Sequence, residues 1–181
     1  MTHIMGESNT LYLNDGTAFF EDRTIAAGLA GISLEVEIAT NGDVFTEDIL
    51  FTHRGISGPV VLQISNYWLP GNGISINLLP ETEASKWLLA AKSEKGSSLL
   101  RTVLAQALPR ALVLELQSLW WAGKAEQSMA EISDSFLINI GQRLNDWQLK
   151  PSGTEGYRTA EVTLGGISTD ELNAKTMEVK S

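Results

Sequence analysis

Apolar and polar residues alternate most clearly between Gly31 and Phe51. Ile32, Leu34, Val36 and Ile38 alternate with Ser33, Glu35, Glu37 and Ala39, the period of two of a half-buried strand. Asn41-Gly42-Asp43 supplies a turn, Val44–Thr46 begins a partner strand, and the β region continues to Phe51. Beyond Pro59 the period changes. Val61, Ile64, Tyr67 and Trp68 fall on one face at helical spacing, and Pro59 suits a first helical turn, where its missing N–H costs nothing. A short helix is expected there, ended by Pro70-Gly71-Asn72-Gly73. Ile74, Ile76 and Leu78 resume strand alternation. Near the start, Leu11–Leu13, the Asn14-Asp15-Gly16 turn and Thr17–Phe20 suit a short hairpin.

From Glu81 to Trp147 the chain is rich in Leu and Ala, with few turn signals. Helices are expected over 83–92, over Ser97–Leu108 (ended by Pro109) and over Arg110–Ala122 (stopped at Gly123). A fourth, capped by Ser133 or Ser135, runs to Trp147 with Phe136, Ile140, Leu144 and Trp147 along one stripe. Lys150–Gly156 has the composition of a linker. Tyr157–Leu164 reads as a returning strand, broken by Gly165-Gly166, and the remainder as an exposed end. The plan is α+β: a β lobe from which four helices are an excursion, its first and last segments pairing.

Composition narrows the function. The 181 residues, 43% apolar and 19% charged, suit one medium domain or two small lobes sharing a core. The absence of cysteine excludes disulfides, thiolate–metal sites and a thiol nucleophile, and is compatible with a reducing cytoplasm. A net charge of −9 argues against a surface built to hold phosphodiester backbones, so no nucleic-acid partner is expected. No apolar run approaches the roughly 20 residues of a membrane span. The start, MTHIMGES, lacks the basic and apolar regions of a secretory signal and reads as a vector remnant, which keeps His3 out of the functional argument.

Candidate chemistry concentrates in LFTHRGISGPVVLQISNYW, residues 50–68. Two glycines and a proline around polar side chains describe a tight loop that can approach another group closely. His53 suits a general acid or base near neutral pH, or a side chain that pins the turn. Arg54 suits a carboxylate or phosphate clamp, or a solvated loop charge. Gly165 and Gly166 could present backbone N–H groups to an anion or flavin edge, or simply end a strand. There is no P-loop, no dinucleotide G-x-G-x-x-G and no pair of histidines at metal-ligand spacing. A hydrolase using Ser57 and His53 lacks a G-x-S-x-G elbow.

The same stretch resembles the F-T-H-x-G-x-S-G-P-x-x-L-x-x-S motif of the BaiN/YhiN-like flavoproteins, a family of FAD-dependent oxidoreductases. AEVTLGGISTDELNAKTME resembles that family's T-x-G-G-[VI]…T-M-[EQ]-S-K segment, and GLAGISLEV its L-x-G-[IV]-S-L-x-V strand. The likeness runs from Gly28 to Lys180, with an inserted valine in Met177-Glu178-Val179-Lys180. It implies the family's insert domain, excised from a larger enzyme. A β-barrel-like lobe (28–80 and 156–168) would be interrupted by a helical lobe of about four helices (81–150). Residues 1–27 match poorly, and 169–181 form the exposed end.

By the same resemblance, Thr52, His53, Arg54, Gly55, Ser57 and Gly58 form one wall of a site and Thr163, Gly165 and Gly166 the other. Both walls would close over FAD. His53 is the catalytic candidate, a proton donor, and Arg54 the substrate-binding one; the remaining residues would contact the cofactor. Implied partners are the FAD-binding domain of the parent chain and a small-molecule substrate, with NAD(P)H a candidate electron donor. No flavin is expected on this chain alone, and no metal, nucleic acid or membrane. The competing expectation is a stand-alone binding module whose contact surface is an apolar patch of Tyr67, Trp68, Trp120 and Trp121.

Overall fold

A computed structural model describes the backbone of Leu11–Asn14, residues 28–53, 55–154 and 169–176, and positions 156, 160, 178 and 179. Among the described residues there are six strands: β1 (Leu11–Asn14), β2 (Ser33–Thr40), β3 (Asp43–Phe51), β4 (Ile56–Ser57), β5 (Ile74–Asn77) and β6 (Trp147–Thr154). They close into a barrel in the order β1-β4-β3-β2-β5-β6, every neighbouring pair antiparallel. The β4 contacts are the short ones: β4 meets β3 at Leu50 and Phe51 and β1 at Leu11.

The β2–β3 hairpin follows from its two-residue turn. Thr40 pairs with Asp43, so Asn41 and Gly42 alone make the loop, at φ 53° and 93°. This is the left-handed backbone that Asn-Gly adopts readily and that matches strand twist. Val36, Ile38, Ile49, Phe51, Ile56, Ile74, Ile76 and Leu149 are buried. Helix α1 (Pro59–Ile64) packs on β2 and β3 and buries Val60, Val61 and Ile64. It begins with Pro59, as expected, but ends before Tyr67, which is exposed.

Leu11–Leu13 is strand, and β1 pairs with β6 and β4; the arm expected to complete a hairpin with it, Thr17–Phe20, lies outside the described residues. One β expectation is corrected. Lys150–Gly156 is not a linker as far as Thr154, because Trp147–Thr154 is the returning strand, with Trp147, Leu149 and Pro151 buried in alternation. Its linker-like composition marks a bulge. Leu13 pairs with Pro151 and Tyr12 with Gly153, leaving Ser152 as the extra residue, and a strand tolerates proline at such an irregularity. Tyr157–Leu164, the strand expected here, lies almost entirely outside the described residues.

Between β5 and β6 the chain leaves the barrel for four helices: α2 (Ala84–Glu94), α3 (Leu100–Leu104), α4 (Arg110–Trp120) and α5 (Asp134–Asn145). α3 is shorter than expected. Its first turn is taken up by backbone bonds from Met129 to Ser98 and a bridge between Leu99 and Ser128. Its last turn tightens, with Gln106 N–H reaching Val103 and Ala107 N–H reaching Leu104. α4 stops at Trp121, before Gly123, and Ala122–Lys124 forms a 3₁₀ turn. Ser133 caps α5 by accepting from Phe136 N–H, and the helix ends at Asn145, so Trp147 belongs to β6.

Helices α2 and α5 pack backbone to backbone, because any side-chain carbon on Gly141 would overlap the Ser85 backbone. Where the lobe meets the barrel, Asn145 ties four groups together. Its amide nitrogen donates to Asn77 Oδ1 at 2.9 Å, to Leu79 O at 3.2 Å and to Thr82 O at 2.9 Å. Its oxygen accepts Ala84 N–H at 2.8 Å, at the start of α2.

The apolar patch expected of a stand-alone module does not form. Trp68, Trp120 and Trp121 are each at most 9% exposed. The Trp68 indole N–H donates to Asn72 O at 2.8 Å. Trp120 meets Trp147 edge-on with centroids 5.6 Å apart, and the Arg143 guanidinium lies over the Trp120 ring, 4.5 Å from its centroid. Among the described residues no helix is long and apolar enough to cross a membrane.

Candidate functional site

The stretch around His53 is a hairpin loop at the barrel end opposite the Asn41-Gly42 turn. Strand β3 is anchored at its close: Gly31 N–H donates to Phe51 O at 2.8 Å and Phe51 N–H to Ile32 O at 2.9 Å. Phe51 then pairs with Ile56 and Leu50 with Ser57, which leaves Thr52–Gly55 as a four-residue connection. It is closed from within. Thr52 N–H donates to Gly55 O at 2.8 Å, Gly55 N–H donates to Thr52 Oγ1 at 3.1 Å, and the Thr52 hydroxyl lies 3.2 Å from Gly55 O. Threonine closes such a turn because its hydroxyl both donates and accepts.

Gly58 has a structural reason to be glycine. Gly55 is buried. Gly58 turns the chain into α1 at φ 95°, and a Cβ there would lie 2.8 Å from Asp48 O and Leu50 N. Its carbonyl takes the first helical N–H groups, from Val61 and Leu62. What the loop turns outward is side chain. His53 is exposed, and Thr52 and Ser57 are half-buried. Arg54, Thr163, Gly165 and Gly166 lie outside the described residues, so of the two expected walls the structure describes only the first, without Arg54.

This geometry bears on a flavin. The Thr52 and Gly55 amides are used inside the turn, and the space at Gly58 is filled by the β3 backbone. The described part of this wall therefore offers the Thr52, His53 and Ser57 side chains outward rather than the Thr52 and Gly55 amides. Among the described residues, no group of three or more His, Asp or Glu side chains is placed to hold a metal ion.

Two features of the helical lobe were not anticipated. An open groove of about 830 Å³ runs between α2 and α5, with Lys86, Asn139, Gln142 and Arg143 among its walls. Partial burial draws the Arg143 guanidinium below its ordinary value. A smaller pocket, about 270 Å³, lies between α3 and α4 and is lined by Arg101, Thr102, Ala105, Arg110, Val113 and Leu114. The Arg101 guanidinium holds Glu126 bidentately at 2.6 and 3.2 Å. That hydrogen bond, and then the opposite charge, keeps the Glu126 carboxyl below the usual carboxylate range. No charge signal in the sequence marked them: residues 92–134 carry five basic residues (Lys92, Lys95, Arg101, Arg110, Lys124) and five acidic ones (Glu94, Glu115, Glu126, Glu131, Asp134).

Residues 18–162 match the family described as the HI0933-like protein barrel and H2TH domain. The chain is 47% identical over 154 residues to the ribosomal RNA dihydrouridine synthase of Escherichia coli (strain K12), covering 84% of this chain and 38% of that protein. It is 45% identical over 153 residues to the ribosomal RNA dihydrouridine synthase of Haemophilus influenzae, covering 83% and 37%. The chain thus spans well under half the length of these relatives. It belongs to the HI0933-like barrel and H2TH domain family.

Proposed function

We propose that this member of the HI0933-like family is the insert domain of a cytoplasmic, flavin-dependent oxidoreductase that reduces a uridine of ribosomal RNA. The observation that carries the reading is the self-closed Thr52–Gly55 turn, which mounts an exposed His53 at one end of the barrel. It stands in a chain 47% identical to a protein named for that reaction. Converting uridine to dihydrouridine adds a hydride and a proton across the C5–C6 double bond of the base. A flavin held by the remainder of the parent chain would supply the hydride, with NAD(P)H as the ultimate donor. The part of this domain is to close over that site, exclude water and hold a proton on His53 for delivery to C5, the hydride being added at C6. Net charge led to an expectation of no nucleic acid, and the family resemblance to one of a small-molecule substrate; the names of the relatives favour an RNA uridine instead.

The test uses the parent enzyme. In a strain lacking it, ribosomal RNA should lose one dihydrouridine by mass spectrometry, and the full-length gene should restore it. His53→Ala should slow uridine reduction while leaving flavin reduction by NAD(P)H intact. Unchanged rates in both half-reactions would remove His53 from the mechanism, and absence of dihydrouridine formation would refute the substrate. The isolated 181-residue chain should purify colourless; stoichiometric flavin absorbance would refute the insert-domain reading.

A further inference from the structure

We infer that the face of β3 at the Asn41-Gly42 end of the barrel is a docking surface for a lysine- or arginine-rich segment of another protein. Its centre is an aromatic pair, Phe45 and Tyr67, whose rings meet at a tilt with centroids 5.4 Å apart. Asp43, Phe45 and Glu47 alternate along β3. Because the β2–β3 register runs unbroken from Thr40 opposite Asp43 to Ser33 opposite Leu50, the three project from one face. The aromatic pair therefore has a carboxylate on either side, each about 7 Å away along the strand.

Tyr67 follows α1 on a loop that is fastened to the hairpin turn. Asn41 Nδ2 donates to Tyr67 O at 2.8 Å, Asn72 Nδ2 donates to Asn41 Oδ1 at 2.8 Å, and the Trp68 indole N–H donates to Asn72 O at 2.8 Å. Held there, Tyr67 is 45% exposed. Val44, next to Phe45 on the strand, is 51% exposed, and Leu69, two residues beyond Tyr67, is 53% exposed. Large apolar side chains kept in water on an ordered loop mark a contact surface.

Charge identifies the occupant. The six strands, α1 and residues 65–73 together carry five carboxylates, all on the β2–β3 hairpin (Glu35, Glu37, Asp43, Glu47 and Asp48), and one cation, Lys150 on β6. Glu35 stands directly opposite Asp48, a placement of like charges that costs stability in the free domain. No ion pair or hydrogen bond among the described residues engages any of the five side chains. Aromatic faces attract a cation through their quadrupole, and the flanking carboxylates add to that attraction. Cationic side chains on alternate residues of an extended segment would fall in step with Asp43, Phe45 and Glu47, whereas a polyanion would be repelled. The His53 loop lies at the opposite end of the barrel. On the reading that the flavin domain closes over His53, this face stays open in the parent enzyme, and the segment comes from a partner.

The probes are fluorescein-labelled octalysine and octaarginine, followed by anisotropy against the 181-residue chain and against the full-length parent. Both proteins should bind both peptides, with an affinity that falls as KCl rises. Tyr67→Ala should weaken binding about three- to fivefold, a loss that charge alone does not produce, while Tyr67→Phe should stay near wild type. Asp43→Asn combined with Glu47→Gln should weaken it about fivefold at low salt. Glu94→Gln removes an exposed carboxylate from the helical lobe and should change affinity less than about twofold. The surface is refuted if wild type binds neither peptide, if Tyr67→Ala binds as wild type, or if Glu94→Gln costs as much as the paired change. Binding by the 181-residue chain but not by the parent would give the face to the parent's own remainder, and dimerisation abolished by Tyr67→Ala would give it to a second copy; either overturns a partner's basic segment. Failure of the parent to form dihydrouridine would count against the proposed reaction and leave these titrations unchanged, so the two failures are distinguishable.

Discussion

Replacing Asn145 tests how the helical lobe is fastened to the barrel. The side chain makes four hydrogen bonds, at 2.8 to 3.2 Å, to Asn77, Leu79, Thr82 and Ala84. Its amide has two hydrogens for three acceptors, so one is shared. Removing the group at Asn145→Ala takes a partner from Ala84 N–H, Thr82 O, Asn77 Oδ1 and Leu79 O in a half-buried place, although Asn77 Oδ1 keeps Leu79 N–H and Leu79 O keeps Thr82 N–H. At about 1 kcal/mol net for each bond, with one shared, the cost is about 3 kcal/mol. For a chain of this size that lowers Tm by about 6–12 °C.

Asn145→Asp sharpens the test. It keeps the acceptor for Ala84 N–H, at a helix start where negative charge is favoured. It also turns a carboxylate oxygen toward two carbonyls and the Asn77 oxygen, so it should cost at least as much as alanine at neutral pH. Those oxygens favour the protonated carboxyl, which raises its folded-state pKa above the unfolded one. The damage should therefore lessen as the pH falls through that raised value, when the side chain can donate again. Urea unfolding followed by tryptophan fluorescence gives both numbers. A loss below about 1 kcal/mol for alanine, or an aspartate variant as stable as wild type at pH 7, would refute the reasoning.

Other outcomes follow from neighbouring features. Gly58→Ala forces a side chain into a φ of 95° and against the β3 backbone; it should cost about 3 kcal/mol or more, and a thermal shift within error would show that the loop simply re-forms. Hydrogen bonds from the Ser128 hydroxyl and then its backbone N–H hold the Glu131 carboxyl below the usual range. Because the folded value is depressed, its contribution is present above the ordinary glutamate value of about 4.3 and lost as the pH falls below it. The difference in Tm between wild type and Glu131→Ala should shrink over that descent, and a difference that does not change with pH would contradict it.

The parts of the fold that local chemistry dictates were legible in the sequence. Asn41-Gly42 named its own turn, Pro59 its helix start, and Ser133 its cap. The four-helix excursion was readable because leucine periodicity persists between recognisable stops. Trp147–Thr154 was misread, since its signals compete: a tryptophan on a helical stripe and a Pro-Ser-Gly run that looks like a linker. What overrides both is pairing with β1 and β5, partners more than 60 residues away in sequence. Trp68, Trp120 and Trp121 are core; only the competing binding-module expectation placed them on a surface patch, because composition reports that a residue is large and apolar but not what lies against it. The His53 loop was found from its glycines. That its amides are consumed internally depends on Thr52 Oγ1 reaching Gly55, which spacing alone did not reveal.

Because the helical lobe leaves from β5 and returns into β6, two strands that lie side by side, the barrel has an order in which it can be assembled. Ile76 pairs with Trp147, 71 positions later. Closing so long an unstructured loop costs about 4 kcal/mol in chain entropy. If α2 and α5 pack first, their ends already hold Asn77 and Asn145 together, and the span to be closed falls to a few residues. The lobe is then the clip that brings β5 to β6, and barrel closure through β1 comes last. Asn145→Ala should accordingly slow refolding more than it speeds unfolding. A chevron in which the whole loss sits on the unfolding arm would show that the barrel closes without its clip.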